Sequence, residues 1–227
     1  MEATHQLAER QTTADQVFDA LHAQIVSLKL TPGSRISEAQ VAAEFGVSRQ
    51  PVREAFNRLG AAGLLLIRPQ RGTQVQKFSL AEIAAARFVR LAVELELISE
   101  AARRWTGDLA ADFLRVLAAQ ADAARRMDRA GFHTLDEDFH ELITRAAGHP
   151  AAFAVIKQNK AQLDRLCVLS LKNADEMTLL IEDHRAIYDA LTRQDAAAAH
   201  EVLRRHLTRI SATIETVRAK HAEYFVE

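Results

Sequence analysis

SEAQVAAEFGVSRQPVREAFNRL, residues 37–59, reads as two short helices joined by a tight turn. Ser37 is placed to cap the first helix, with Gln40 three residues on in the capping-box arrangement. Val41, Ala42 and Phe45 form its apolar side. Gly46 stops it, because glycine enters the left-handed conformation without steric cost. Ser48 is placed to cap the second helix, with Pro51 in the first turn, where a missing N–H costs little. Val52, Ala55, Phe56 and Leu59 recur at helical spacing and face inward, leaving Arg49, Gln50, Arg53 and Asn57 outside. A helix, a glycine turn and a second helix with outward arginine and glutamine at its N-terminal end form a helix-turn-helix. In that motif arginine reads guanine and glutamine reads adenine in the major groove. The alternative at this level is an ordinary helix corner with solvated arginines.

The flanks favour the first reading. Residues 12–29 predict a helix, capped by Thr12 or Thr13, with Val17, Leu21, Ile25 and Leu28 on one stripe. Leu30-Thr31-Pro32-Gly33-Ser34-Arg35 is a turn. Beyond the second helix, residues 64–68 and 73–77 predict a hairpin around Pro69-Gln70-Arg71-Gly72, a wing with Arg71 and Gly72 at its tip. A glycine there lets the backbone approach phosphates or enter the minor groove beside an arginine. Residues 28–77 carry eight Lys and Arg against three Asp and Glu, whereas residues 78–227 carry 20 against 23. A basic head on a mildly acidic body fits a nucleic-acid partner that the whole-chain net charge of −1 conceals.

With 227 residues, 48% hydrophobic and 26% charged, the chain is expected to be an ordinary soluble protein of two domains, 1–77 and 78–227. No apolar run approaches a membrane span, and the polar start MEATHQLAERQ lacks a secretion signal. A single cysteine, Cys167, fits a reducing cytoplasm. From Ser79 onward alanine and leucine dominate, and six helices are predicted at about 80–105, 108–129, 132–147, 150–173, 175–193 and 195–222. The expected fold is mainly α: a winged helix-turn-helix followed by an all-α six-helix bundle.

The histidines of the second half supply the chemistry. Asp136 and His140 are four residues apart, on one helical face. His184 lies ten residues before the bend near Gln194 and His206 twelve after it, so in an antiparallel hairpin the two share a height. His184 runs with Leu180, Ile187 and Leu191, His206 with Leu203, Ile210 and Ile214, and His140 with Phe139, Ile143 and Ala147. His200 and His133 fall on polar faces. Imidazoles on apolar stripes need partners, because unpaired buried polar groups are costly. One carboxylate and three imidazoles suit a divalent metal with open positions left over; three separately satisfied core histidines are the alternative.

Taken together, Leu30-Thr31-Pro32-Gly33, the run Val47 to Ala55, Gly63-Leu64 and Arg71-Gly72 resemble the N-terminal signature of the GntR family of transcription regulators. The helical half resembles the FCD effector-binding domain of that family's FadR-type branch, in its VanR-like subgroup. The resemblance implies DNA contacts at Arg35, Arg49, Arg53 and Gly72, with Ser48 and Gln50 nearby, and a homodimer reading a palindromic operator. Position 50 is more often threonine in the family, which separates base preference from docking mode. The resemblance also implies that Asp136, His140, His184 and His206 ligate a divalent ion: zinc, nickel or manganese. An open metal in a bundle suits a small organic acid as effector. Arg90 is then a candidate clamp for its carboxylate, the alternative being a surface arginine or one paired with Glu94. Asn159 and Arg165 are further candidates for the same cavity, whereas Cys167 nearby is read as plain packing before a cavity residue.

The implied function is a ligand-responsive repressor, and not an enzyme. A metal-dependent hydrolase or oxygenase on the Asp/His3 set competes with it, but no general base accompanies the ligands except Glu137 or Asp138, on other faces of their helix. A regulator with a purely structural metal is the other alternative.

Overall fold

Thr12 opens the first helix with a full capping box. Its hydroxyl accepts from the Asp15 N–H at 3.1 Å, and the Asp15 carboxylate accepts from the Thr12 N–H at 2.9 Å. That helix, α1 (Thr13–Val26), buries Val17, Leu21 and Ile25. The chain divides into two compact units, Met1–Gln76 and Lys77–Glu227. The computed structural model describes residues 11–68, 72–171 and 174–226. In the first unit a two-residue strand β1 (Arg35–Ile36) precedes α2 (Glu38–Phe45) and α3 (Arg49–Ala61). A hairpin of β2 (Leu65–Arg68) and β3 (Gly72–Val75) follows. The turn between α2 and α3 forms as the sequence predicts, with Gly46 at φ 65°. Val52, Ala55, Phe56 and Leu59 are buried beneath α3.

Two local expectations change. Ser37 does cap α2 through the Gln40 N–H at 3.1 Å, but the Gln40 side chain accepts from the Ser37 hydroxyl at 3.0 Å. The reciprocal half of the box is therefore not made. Ser48 stands at the N-cap position of α3 without a side-chain capping bond. The cause lies in the sequence: the third helical residue is Pro51, which has no N–H to offer a capping hydroxyl. The strand β1 was not expected. Two residues carry no periodicity, yet Arg35 pairs opposite Gln74 and Ile36 opposite Thr73, completing a three-stranded sheet of order β1-β3-β2.

The second unit is helical throughout: α4 (Leu80–Arg103), α5 (Ala110–Arg125), α6 (Arg129–Ala146), α7 (Ala152–Asn159), α8 (Ala161–Ser170), α9 (Ala174–Thr192), α10 (Ala196–Thr208) and α11 (Ile210–Lys220). These occupy the six expected helical stretches, two of them interrupted. At Lys160 and at Arg209 the backbone tightens to three-residue hydrogen bonds, Lys160 N–H to Lys157 O and Arg209 N–H to His206 O. Lys160 is buried there between Glu137 at 2.5 Å and Asp164 at 2.6 Å. Leu95, Ile98, Phe113, Phe139, Ile187 and Leu203 centre the core.

The end of the chain is tied to the start of this unit. Phe78 N–H donates to Tyr224 O at 2.8 Å, Val226 N–H donates to Phe78 O at 2.9 Å, and the Phe78 and Phe225 rings lie 5.3 Å apart. Both rings are buried. Phe225→Ala is expected to cost the second unit about 3 kcal/mol. Urea unfolding followed by the fluorescence of the sole tryptophan, Trp105, measures it; an unchanged midpoint would show that the closure is not part of the core.

Candidate functional site

On the first unit, Arg35, Ser48, Arg49, Gln50, Arg53 and Gly72 are all solvent-exposed. Arg53 rests against Glu38 at 3.2 Å, a pair exposed on both sides and correspondingly weak. Gly72 has φ 85° and stands opposite Arg68 in the hairpin. The uncapped Ser48 hydroxyl and the start of α3 point outward together. Arg71 lies outside the described residues. Arg58, also on α3, is committed elsewhere: it pairs with Asp15 at 2.7 Å and lies over the Phe18 ring, holding α3 to α1.

The second unit brings all four predicted ligands together. Asp136 and His140 on α6, His184 on α9 and His206 on α10 offer one ligand atom each, all within 4.8 Å of one another. His140, His184 and His206 are buried. The His140 and His206 Nε2 atoms are 3.2 Å apart, and His184 Nε2 is 3.4 Å from Asp136 Oδ1. Atoms bound about 2.1 Å from a common ion lie roughly 3.0–3.4 Å from one another. The spacing therefore fits a divalent metal.

The outer ring nitrogens make the fit stronger. His140 Nδ1 faces Glu94 Oε2 at 2.6 Å, His184 Nδ1 faces Gln120 Oε1 at 3.0 Å, and His206 Nδ1 faces Asp183 Oδ2 at 3.8 Å. Gln120 is oriented by donating to Leu135 O at 3.1 Å, which turns its oxygen toward His184. Carboxylate and amide oxygens only accept, so the Nδ1 of His140 and of His184 carries the proton and their Nε2 turns a lone pair inward, whereas His206 Nδ1 at 3.8 Å makes no hydrogen bond to Asp183. His184 Nε2 has no hydrogen-bond partner among the described residues. Lone pairs and a carboxylate converging in a buried space repel unless a cation joins them. Burial, then the neighbouring His206, pushes the pKa of His184 well below its ordinary value, and burial also lowers that of His206. Both are thus neutral, the form that binds metal. Burial alone would raise the pKa of Asp136, but the positive charge around it, that of Arg90 included, holds its carboxyl below the usual range.

A second acid–imidazole group, His133, Glu137 and Asp164, is also close enough to ligate an ion. Its cation is already present, because the Lys160 ammonium lies between the two carboxylates.

A cavity of about 210 Å³ opens beside Asp136 and His206, with Arg90 in its wall. Of the two sequence readings of Arg90, the pairing with Glu94 is present. Its Nε donates to Glu94 at 2.5 Å, while among the described residues its two terminal nitrogens carry no hydrogen bond. The guanidinium is therefore fixed on one edge and open on the other. Cys167 lines the same cavity, its thiol pushed up to about 12 by burial and hence protonated. Arg165, two residues away on α8, does not line it: it is buried over the Phe78 ring, 4.4 Å from the centroid. Two helical residues separate the directions of these side chains by about 200°. The Asn159 side chain lies outside the described residues.

Sequence reasoning missed Glu94, Gln120 and Asp183. Asp183 is buried and holds Arg205 at 2.7 Å and Arg209 at 2.5 Å as well as facing His206. A signal for Glu94 existed in its four-residue spacing from Arg90 and its place between Leu91, Leu95 and Ile98.

Comparisons with known proteins show the family and the fold. The family described as “Bacterial regulatory proteins, gntR family” matches residues 13–75, and the FCD domain matches residues 85–209. The HTH-type transcriptional repressor RspR of Escherichia coli (strain K12) is 34% identical over 222 residues, covering 98% of this chain and 97% of its own. The galactonate operon transcriptional repressor of the same organism is 27% identical over 209 residues, covering 82% and 90%. Among solved structures, E. coli McbR/YncC has the same fold, with a TM-score of 0.76 at 21% identity over 90% of this chain and 98% of that one.

Because Gln120 fixes the tautomer of His184, Gln120→Leu is expected to weaken metal binding 10–100-fold with the four ligands untouched. Competition titration against a chromophoric chelator reads this directly. An affinity equal to that of the unaltered chain would mean that Gln120 does not orient the ligand.

Proposed function

The chain belongs to the GntR family of bacterial regulatory proteins, and from that premise we propose that it is a cytoplasmic, dimeric repressor. It binds a palindromic operator through two copies of α3 and its wing, and a small organic acid alters that binding. The family is one of regulators, so the hydrolase and oxygenase readings of the Asp/His3 set are withdrawn. No helix among the described residues is long and apolar enough to cross a membrane.

At the DNA, Arg49, Gln50 and Arg53 enter the major groove from the N-terminal end of α3, and Ser48 bonds phosphate. Arg35 and Gly72 sit on the adjoining sheet. The Arg53–Glu38 pair is exposed, so exchanging it for a base or phosphate contact costs little. In the helical unit Asp136, His140, His184 and His206 hold the divalent ion, with zinc, nickel and manganese all compatible with the donors. When bound, the ion supplies a Lewis-acid anchor for one carboxylate oxygen. The observation that carries this reading is Arg90: a guanidinium tied on one edge to Glu94, with its open edge in the cavity beside the ligand cluster. A planar guanidinium open on one edge binds a carboxylate bidentately.

The binding free energy of such an acid shifts the equilibrium between DNA-competent and incompetent arrangements only so far as the two differ in affinity for it. The relatives named for galactonate and gluconate operons support an acid as the effector class.

Three outcomes are expected. Arg49→Ala and Arg53→Ala each abolish a specific gel shift on DNA flanking the protein's own gene, at unchanged thermal stability; retained binding would refute the head assignment. Affinity falls steeply between low and physiological salt, by about 10³-fold for six or more phosphate contacts, whereas a flat response would contradict a phosphate-dominated interface. Arg90→Ala keeps the operator shift but loses its response to organic acids, read in the same assay; a preserved response would remove Arg90 from the effector site.

A further inference from the structure

The cavity beside the ligand cluster has one side built for charge and another built against it. Arg90 and Asp136 bring charge to one side, beside His206. Phe132, Leu171, Leu179, Leu180, Leu207 and Ile210 supply the apolar wall, together with the protonated Cys167. Most polar side chains elsewhere in the lining are already engaged. The Ser170 hydroxyl donates to Cys167 O at 2.6 Å, His133 faces Asp164 at 3.6 Å, and Arg209 is held by Asp183 at 2.5 Å. Glu176 also has a partner. Among the described lining residues, the open polar handles are few: the terminal nitrogens of Arg90, one terminal nitrogen of Arg209 and the hydroxyl of Thr213.

A volume of about 210 Å³ sets the size of the occupant. An apolar cavity of about 150 Å³ accepts benzene. The enclosed part of the cavity therefore suits a ring-sized apolar body with one carboxylate. A polyhydroxylated acid would bring four or more hydroxyls into a wall whose polar groups are mostly spoken for. Each hydroxyl left unpaired costs on the order of tenfold in affinity.

We infer that the effector is a monocarboxylate with an apolar body about the size of a six-membered ring, aromatic or branched aliphatic, and not a sugar acid. Its carboxylate lies against Arg90 and the ligand cluster, and its body against Phe132, Leu180 and Ile210. This inference rests on the reading of the cavity as an acid-effector site and adds the selectivity of its wall. It also separates this chain from the relatives named for sugar-acid operons. Two of the residues that form the wall, Ile210 and Thr213, lie beyond residue 209, where the FCD match ends.

The test uses the full chain loaded with zinc and four acids in isothermal titration: benzoate, 4-methylpentanoate, D-gluconate and D-galactonate. Benzyl alcohol serves as the neutral control. Benzoate or 4-methylpentanoate is expected to bind at least roughly 100-fold more tightly than either sugar acid, and benzyl alcohol more weakly than benzoate. Leu180→Asp, at the half-buried edge of the wall, is expected to lower affinity for the apolar acid at least about tenfold with zinc still bound. Sugar acids binding as tightly as the apolar acids would overturn this inference and leave the acid-effector reading standing. Benzyl alcohol matching benzoate, or none of the four acids binding, would overturn both.

Discussion

Inward lone pairs on buried imidazoles facing a carboxylate repel unless a cation joins them. Much of the helical unit is arranged around that constraint. Glu94 on α4 and Gln120 on α5 hold the outer nitrogens of His140 and His184, and Asp183 on α9 faces that of His206 at 3.8 Å. Phe139 stacks on His184 at 4.1 Å between centroids and fixes its plane. Core packing and the convergence of the four side chains are therefore the same arrangement seen from two sides. The neighbouring His133–Glu137–Asp164 group is an internal contrast: there a lysine supplies the positive charge.

The second-sphere carboxylates also reach the cavity. Glu94 joins His140 to Arg90, and Asp183 joins His206 to Arg209; both arginines lie in the cavity wall. An anion arriving at Arg90 competes with Glu94 for the same guanidinium and so acts on a ligand's orienting partner. The cavity wall and the Asp/His cluster are in this way linked through two short side-chain chains. A change in either can bias α4 or the junction of α10 and α11 without unfolding anything.

Much of this was legible in the sequence, and the legible part is what helical periodicity controls. Asp136 and His140 share a face because they are four residues apart. His184 and His206 share a height because they flank one bend at nearly equal distance. The turn at Gly46 and the inward face of α3 follow from local rules as well. What could not be read depends on contacts between elements remote in sequence. Gln120 is a polar residue on an apolar stripe until His184 is known to face it, and Asp183 gains its role only from α10. The breaks at Lys160 and Arg209 also escape the pattern, since both residues are good helix formers and the interruption comes from what they touch. Arg165 and Cys167 reversed places in the expected cavity for a simpler reason. Residues two apart on a helix diverge, so only one of them can face it. At Ser48 the needed information was present, since Pro51 removes the N–H that the cap would bind.

The central claim is that the inward nitrogens of His140, His184 and His206, with Asp136, hold one divalent transition metal. X-ray absorption at the metal edge of the full-length protein, purified without added metal, addresses it most directly. The account predicts a single site with about three imidazole nitrogens and additional oxygen scatterers at roughly 2.0–2.2 Å. A spectrum lacking imidazole multiple scattering, or a folded protein that takes up no metal, would contradict it.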